Sequence, residues 1–134
     1  MPVNGRNKGA SAEREFVKIL QQEVDVSLPA GHGLKFMRNL EQVRGGGFDI
    51  VGLSWLALEI KRQENLSLNS WWEQCERQAE GRVPVLAYRQ NNRPWRVRMP
   101  IHIYTNRTLV DMSLEDFLDV FRSMLADPEY GVMT

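Results

Sequence analysis

The chain has one cysteine, Cys75, and two histidines, His32 and His102, well separated. A lone thiol excludes an internal disulfide and any multi-cysteine zinc site, and isolated imidazoles speak against a histidine-built metal centre. No apolar run approaches the roughly eighteen residues a membrane span needs, and the first residues are polar, without a hydrophobic signal-peptide segment. A soluble protein of a reducing compartment, with no membrane partner, is therefore expected. Net charge is missing too, but unevenly. Residues 1–110 carry 16 Lys/Arg against 11 Asp/Glu, whereas residues 111–134 carry one Arg against six acids. A basic body suits nucleic acid, and a solvated charged face would read the same way.

What is present fits one compact domain: 134 residues with 43% hydrophobic content. Residues 1–10, rich in Gly, Asn and basic side chains, read as a flexible basic arm. Ser11 is placed to cap a helix bearing Phe16, Val17, Leu20 and Val24 at three-and-four spacing, and Glu13 falls on that same face. Its carboxylate either points inward toward a cleft or sits at the solvent boundary, where the helix dipole favours an acid. A Gly- and Pro-containing loop follows, with a short strand around Leu34 to Arg38. Residues 48–53 and 55–62 read as two strands joined by a tight turn near Gly52 to Ser54.

Further on, Ser70 and Glu73 have capping-box spacing at the start of a second helix that stops near Gly81. "VPVLAYRQ" and "RPWRVRMP" read as strands around a turn at Asn91 and Asn92, and "IHIYT" as another short strand. The segment 111–134 forms an acidic C-terminal helix and tail, with Ser113 and Asp116 as its capping box. The order predicts an α/β fold, a mixed central β-sheet flanked by α-helices.

The stretch "GGGFDIVGLSWLALEIKR" carries the chemistry. With the two-residue period of a strand, Leu56, Leu58 and Ile60 share one face, and Trp55, Ala57, Glu59 and Lys61 share the other. If the two strands pair, Asp49 meets Glu59, and Lys61 can neutralise only one of them. Unpartnered buried carboxylates are costly, so the cluster is either a structural ion-pair network or a site for a hard divalent cation. In the second case Asp49, Glu59 and the backbone carbonyl of Ile60 offer oxygen ligands, Glu13 completes or orients the shell, and Lys61 stands by an attacking water.

The segments "NKGASAEREFVKIL", "GGGFDIVGL" and "WLALEIKRQ" together resemble the PD-(D/E)XK nuclease superfamily, most of all the archaeal-type Holliday junction resolvases and related phage-encoded nucleases. The resemblance runs over roughly residues 6–90. It implies a restriction-endonuclease-like core, an active site of Glu13, Asp49, Glu59 and Lys61, and Mg2+ or Mn2+ as cofactor. It further implies a homodimer that cuts branched DNA, a four-way junction, by symmetric paired nicks in the cytoplasm of a bacterial cell or phage-infected host. A nuclease of the same fold acting on flaps, single strands or duplex is the alternative, as is a non-catalytic DNA-binding protein. Phe48 stands where the pattern has proline, and nothing in the family pattern aligns with the segment from Asp111 onward.

Around this cluster lie candidate DNA contacts: Arg6, Lys8 and Arg14 on or beside the arm, Arg38 and Arg44 flanking the loop to Asp49, and Arg62 after the site strand. Of Trp71 and Trp72, one is expected in the core and the other at an edge or dimer interface, since neighbours on a helix point about 100° apart. Gln74 and Gln78 share that helix, and periodicity does not decide which approaches the site. Cys75 reads as a small core residue.

Overall fold

Phe16, Leu20 and Val24 are fully buried at four-residue spacing, with Ala12 one turn earlier, and they fix α1 (Gly5–Ser27) on one face of a sheet. The computed structural model describes residues 5–40, 47–102 and 105–130, and their side chains except those of 5–8, 102 and 105–107. Helix α1 corrects two expectations. Residues 5–10, assigned to the arm, are helical, and Ser11 lies inside the helix instead of capping it. Once a helix is nucleated each added residue gains a hydrogen bond, so the buried stripe carries the helix back through Gly5, Asn7 and Gly9 despite poor propensities of up to about 1 kcal/mol for each glycine.

Gln21 then fastens the following loop. Its amide donates to the Leu34 carbonyl and accepts from the Phe36 N–H, both at 2.9 Å, which delivers β1 (Met37–Arg38) to the sheet edge. Strand β1 pairs antiparallel with β2 (Ile50–Val51), and β2 with β3 (Leu56–Arg62). The connection passes beneath Phe36 so closely that a Cβ on Gly52 would lie 2.4 Å from the ring, so any larger residue there must push the Phe36 side chain aside. Trp55 precedes β3 and packs beside Tyr130 at 5.4 Å between ring centroids. It joins the α1 side of the core, not the face of Glu59 to which the alternation had assigned it.

Strand β3 pairs parallel with β4 (Val83–Arg89) from Leu56↔Val83 to Arg62↔Arg89, and a parallel pair requires a crossover, here α2 (Leu68–Ala79). Ser67 stands at the N-cap, so Ser70 is already helical and the expected capping box is absent. At its far end Glu80 (φ 48°) and Gly81 (φ 86°) adopt the left-handed conformation, ending the helix where the sequence places the stop. Strands β5 (Arg96–His102) and β6 (Thr105–Ser113) complete an ordered sheet β1-β2-β3-β4-β5-β6. Sequence reading expects only a short strand at 101–105, whereas β6 runs to Ser113. Its length is set by pairing with β5, from Arg96↔Ser113 onward, more than by its own polar-interrupted pattern. Helix α3 (Leu114–Ala126) follows at once, with the Ser113 hydroxyl accepting the Asp116 N–H at 3.1 Å as the spacing predicts.

The result is the expected mixed sheet flanked by helices. Helices α1 and α3 pack on one face, with Phe117, Phe121 and Leu125 against Leu58, Val85 and Val97. On the other face α2 lies over a smaller cluster of Trp71, Trp72, Cys75, Leu86 and Tyr88. Both tryptophans are 6% exposed, which corrects the expectation that one would sit at an edge: the helix is flanked closely enough by the sheet to bury neighbours 100° apart. Burial pushes the Cys75 thiol well above its ordinary range, as befits a core residue. No described helix is long and apolar enough to cross a membrane.

Candidate active site

The site lies where the short β2 ends against β3. Leu58 and Ile60 turn their backbone polar groups toward β2: the Leu58 carbonyl accepts the Asp49 N–H at 2.8 Å, and the Ile60 N–H donates to Asp49 Oδ2 at 2.7 Å. The Asp49 carboxylate thus takes the place of a ladder partner, which limits β2 on its N-terminal side; β2 covers two residues, not the six that the apolar run suggested. In an extended strand a residue's carbonyl lies on the side of its N–H, so the Ile60 carbonyl faces the same cleft.

Glu59, one residue earlier on the opposite face of β3, is 2% exposed, and Asp49 is 4% exposed. Burial raises the Glu59 pKa to about 9, helped by the negative charge of Asp49 and a hydrogen bond with it; Lys61, whose Nζ lies 4.0 Å from Glu59 Oε1, pulls the other way without prevailing. The three charges of the sequence motif therefore do converge, with Lys61 beside Glu59.

Glu13 reaches the same region from α1. Its carboxylate accepts from Arg38 Nε at 2.8 Å, and its pKa is raised by burial, with the Arg38 hydrogen bond opposing and Asp49 adding to the rise. Arg38, named above as a candidate DNA contact, is here paired with Glu13. Among the described residues no three His, Cys, Asp or Glu side chains converge tightly enough to hold a metal together. Arg38 holds the Glu13 carboxylate, and among the described residues Asp49, Glu59 and the Ile60 carbonyl offer oxygen donors in the cleft. Two carboxylates with a carbonyl are a donor set that suits a hard divalent cation completed by water, so the residues fit Mg2+ or Mn2+.

Periodicity left Gln74 and Gln78 equal, and the structure separates them. With the Gln78 amide nitrogen turned to the acceptors around it, the orientation its neighbours require, it donates to Glu59 Oε2 at 2.6 Å and to the Gly47 carbonyl at 3.2 Å. Gly47 has φ 104°, a conformation that glycine adopts without strain, and it aims its carbonyl at α2. The signal available in sequence was the placement of Gln78 seven residues after Trp71 and three after Cys75, on the buried face of a helix that crosses over the Glu59 face, and only the crossover geometry gives it meaning.

The other candidate contacts spread out. Arg14 is exposed on α1, and Arg62 is half-buried at the end of β3, its Nε without a hydrogen-bond partner among the described residues. Arg6 and Lys8 belong to α1 by backbone, with side chains outside the described set; Arg44 lies outside it altogether.

A family model described as "Phage putative PDDEXK endonuclease" matches residues 4–123, which carries the match beyond residue 90 and into the segment from Asp111 that the sequence reading left without a counterpart. No curated protein matches the sequence. Among solved structures, the chain is similar to Hjc, a Holliday junction resolvase from the archaeal hyperthermophile Archaeoglobus fulgidus, at 19% identity and a TM-score of 0.50. The match covers 81% of this chain and 97% of that one, and establishes a shared fold.

Proposed function

The chain belongs to the phage PD-(D/E)XK endonuclease family, and from that premise we propose that it hydrolyses phosphodiester bonds in branched DNA, with Asp49, Glu59, Lys61 and Glu13 as the active site and Mg2+ or Mn2+ as cofactor. The observation that carries the reading is the pair of buried carboxylates, Asp49 and Glu59, set side by side with Lys61 Nζ 4.0 Å from Glu59 Oε1.

Asp49, Glu59 and the Ile60 carbonyl would hold the cation. When bound it polarises the phosphate and lowers the pKa of a water. The protein's own groups do the rest. Ile60 N–H fixes the Asp49 rotamer, and Gln78 fixes Glu59, so both carboxylates are oriented before substrate arrives. Lys61 supplies a positive charge at the mouth of the pair, where it can hold the attacking water or stabilise the charge growing on the phosphate oxygens. Glu13, tied to Arg38, borders the same cleft and offers an acceptor to water or to a second ligand shell. The fold shared with a protein described as a Holliday junction resolvase supports the four-way junction as the substrate to try first, and a homodimer would supply two sites for paired nicks.

The test is cleavage of labelled four-way junction, flap, single-stranded and duplex DNA by the wild type and Glu59→Ala, in Mg2+ and in EDTA. Paired cuts in the junction alone, dependent on metal and on Glu59, support the reading. Equal cutting of the other substrates removes the junction preference, and metal-independent cutting or none at all overturns the proposal.

A further inference from the structure

Beside the carboxylate pair, on the side of Gln78 and Gly47, opens a cavity of about 430 Å3 into which Arg77 and Arg82 project. We propose that this cavity binds a second phosphodiester of the DNA strand that lies across the site, with Arg82 held ready for it by Phe48. The inference rests on the nuclease reading for the presence of DNA and adds a contact that orients it.

Three observations carry it. First, the cavity adjoins the site: Gln78, which bonds to Glu59, and Gly47, which Gln78 also touches, both line it. A strand with one phosphate near Glu59 therefore has a neighbouring phosphate within reach of the cavity. Second, the cations there are uncompensated. Arg38, Arg89, Arg98 and Arg122 have carboxylate partners, whereas among the described residues none lies within ion-pair distance of Arg77 or Arg82, as is also true of Arg14, Arg62, Arg93 and Arg96; what sets Arg77 and Arg82 apart is that both line one cavity. Glu80 borders the cavity, leaving two guanidiniums against one carboxylate. A guanidinium without a carboxylate is matched in geometry and charge to a phosphate.

Third, Arg82 is preorganised. Its Nε donates to the Ser54 carbonyl at 3.2 Å, and its guanidinium lies 4.9 Å from the centre of the Phe48 ring, a cation–π contact. Ser54 occupies the Nε–H, so the terminal amino groups are the donors left for a ligand. Holding a long side chain in place beforehand lowers the ordering cost of binding. Phe48, which stands where the family pattern has proline, thus acquires a purpose: proline has no aromatic face to offer Arg82.

The test is fluorescence anisotropy of labelled duplex and four-way junction in EDTA over a series of KCl concentrations, with the wild type, Arg77→Gln, Arg82→Gln, Phe48→Leu and, as a remote control on α3, Arg122→Gln. Loss of one phosphate contact lowers the slope of log affinity against log salt by about 1. That loss is expected for each of Arg77→Gln and Arg82→Gln and not for Arg122→Gln, with weaker binding for Phe48→Leu. Arg77 is exposed, so its variant keeps the test valid should Arg82→Gln fail to fold, which circular dichroism reports. Unchanged slopes in both arginine variants overturn the proposal, even if the wild type cuts DNA. Reduced slopes without any cleavage support the cavity as a phosphodiester site and overturn only the nuclease reading.

Discussion

Asp49 accepts the backbone N–H of Ile60 at 2.7 Å, a bond that helps hold its carboxylate against Glu59 in a pocket where both are almost wholly excluded from solvent. The pair is consequently a store of electrostatic repulsion that protonation, a metal or mutation can each relieve.

Protonation gives the first prediction. The folded pKa of Glu59, about 9, exceeds its ordinary value of 4.5, so the native state binds a proton more tightly than the unfolded chain. The associated stability is fully present below pH 4.5 and is lost as pH rises through about 9. In EDTA the thermal midpoint of the wild type is expected to fall across that window more steeply than that of Glu59→Gln, whose neutral amide has no proton to lose. Parallel curves for the two proteins would remove the buried pair as the cause.

Metal binding should release the same proton. Calorimetric titration of the protein with Mn2+ near neutral pH, in buffers of different ionisation enthalpy, is expected to report close to one proton released per ion bound, because ligation requires the Glu59 carboxylate in its charged form. Asp49→Asn should weaken the binding, and release of no proton would show that Glu59 is not a ligand.

Lys61 is expected to act on turnover more than on binding. Lys61→Met should lower the single-turnover cleavage rate by roughly 100-fold or more, the usual scale for removing a group that stabilises developing charge. DNA affinity measured in EDTA should change little. A proportional loss of affinity and rate would instead make Lys61 an ordinary phosphate contact.

Gln78 offers a subtler case. Gln78→Ala leaves every proposed ligand in place but frees Glu59 Oε2, and partners of ligating groups typically contribute 10- to 100-fold in metal affinity or activity (about that range). The expected outcome is a higher Mn2+ concentration for half-maximal cleavage, and Gln74→Ala on the same helix should not reproduce it.

Gly52 tests the scaffold. A methyl group there would overlap the Phe36 ring, so Gly52→Ala should destabilise the fold by about 1–3 kcal/mol through forced repacking. Urea unfolding of Gly52→Ala, Phe36→Leu and the double variant should show a smaller loss in the double than the sum of the singles, as the clash disappears with the ring.

These positions were unequally legible in the sequence. Glu59 and Lys61 declare themselves because β3 is otherwise apolar and a two-residue period fixes which face each occupies. Asp49 is legible for the same reason, one strand away. The beginning of α1 was not, because Gly5, Asn7 and Gly9 have poor helix propensity and only the buried stripe downstream sustains them. Strand β6 was hidden by its polar residues, its length being dictated by β5 across the ladder. The pairing of Glu13 with Arg38, 25 residues apart, and that of Phe48 with Arg82 are tertiary facts with no local signature. Gln78 and Gln74 became distinguishable only once α2 was laid across the sheet.

The two faces of that sheet are unequally built: α1 and α3 share a large core, and α2 rests on a small one of five buried residues. Helix α2 is therefore the layer that can open by itself, and its amides are expected to exchange with solvent at a lower free energy than those of α1. Each such opening withdraws Gln78 from Glu59. Activity in mild urea should accordingly fade before the α1–α3 layer melts, making catalysis a gauge of the local stability of one crossover helix.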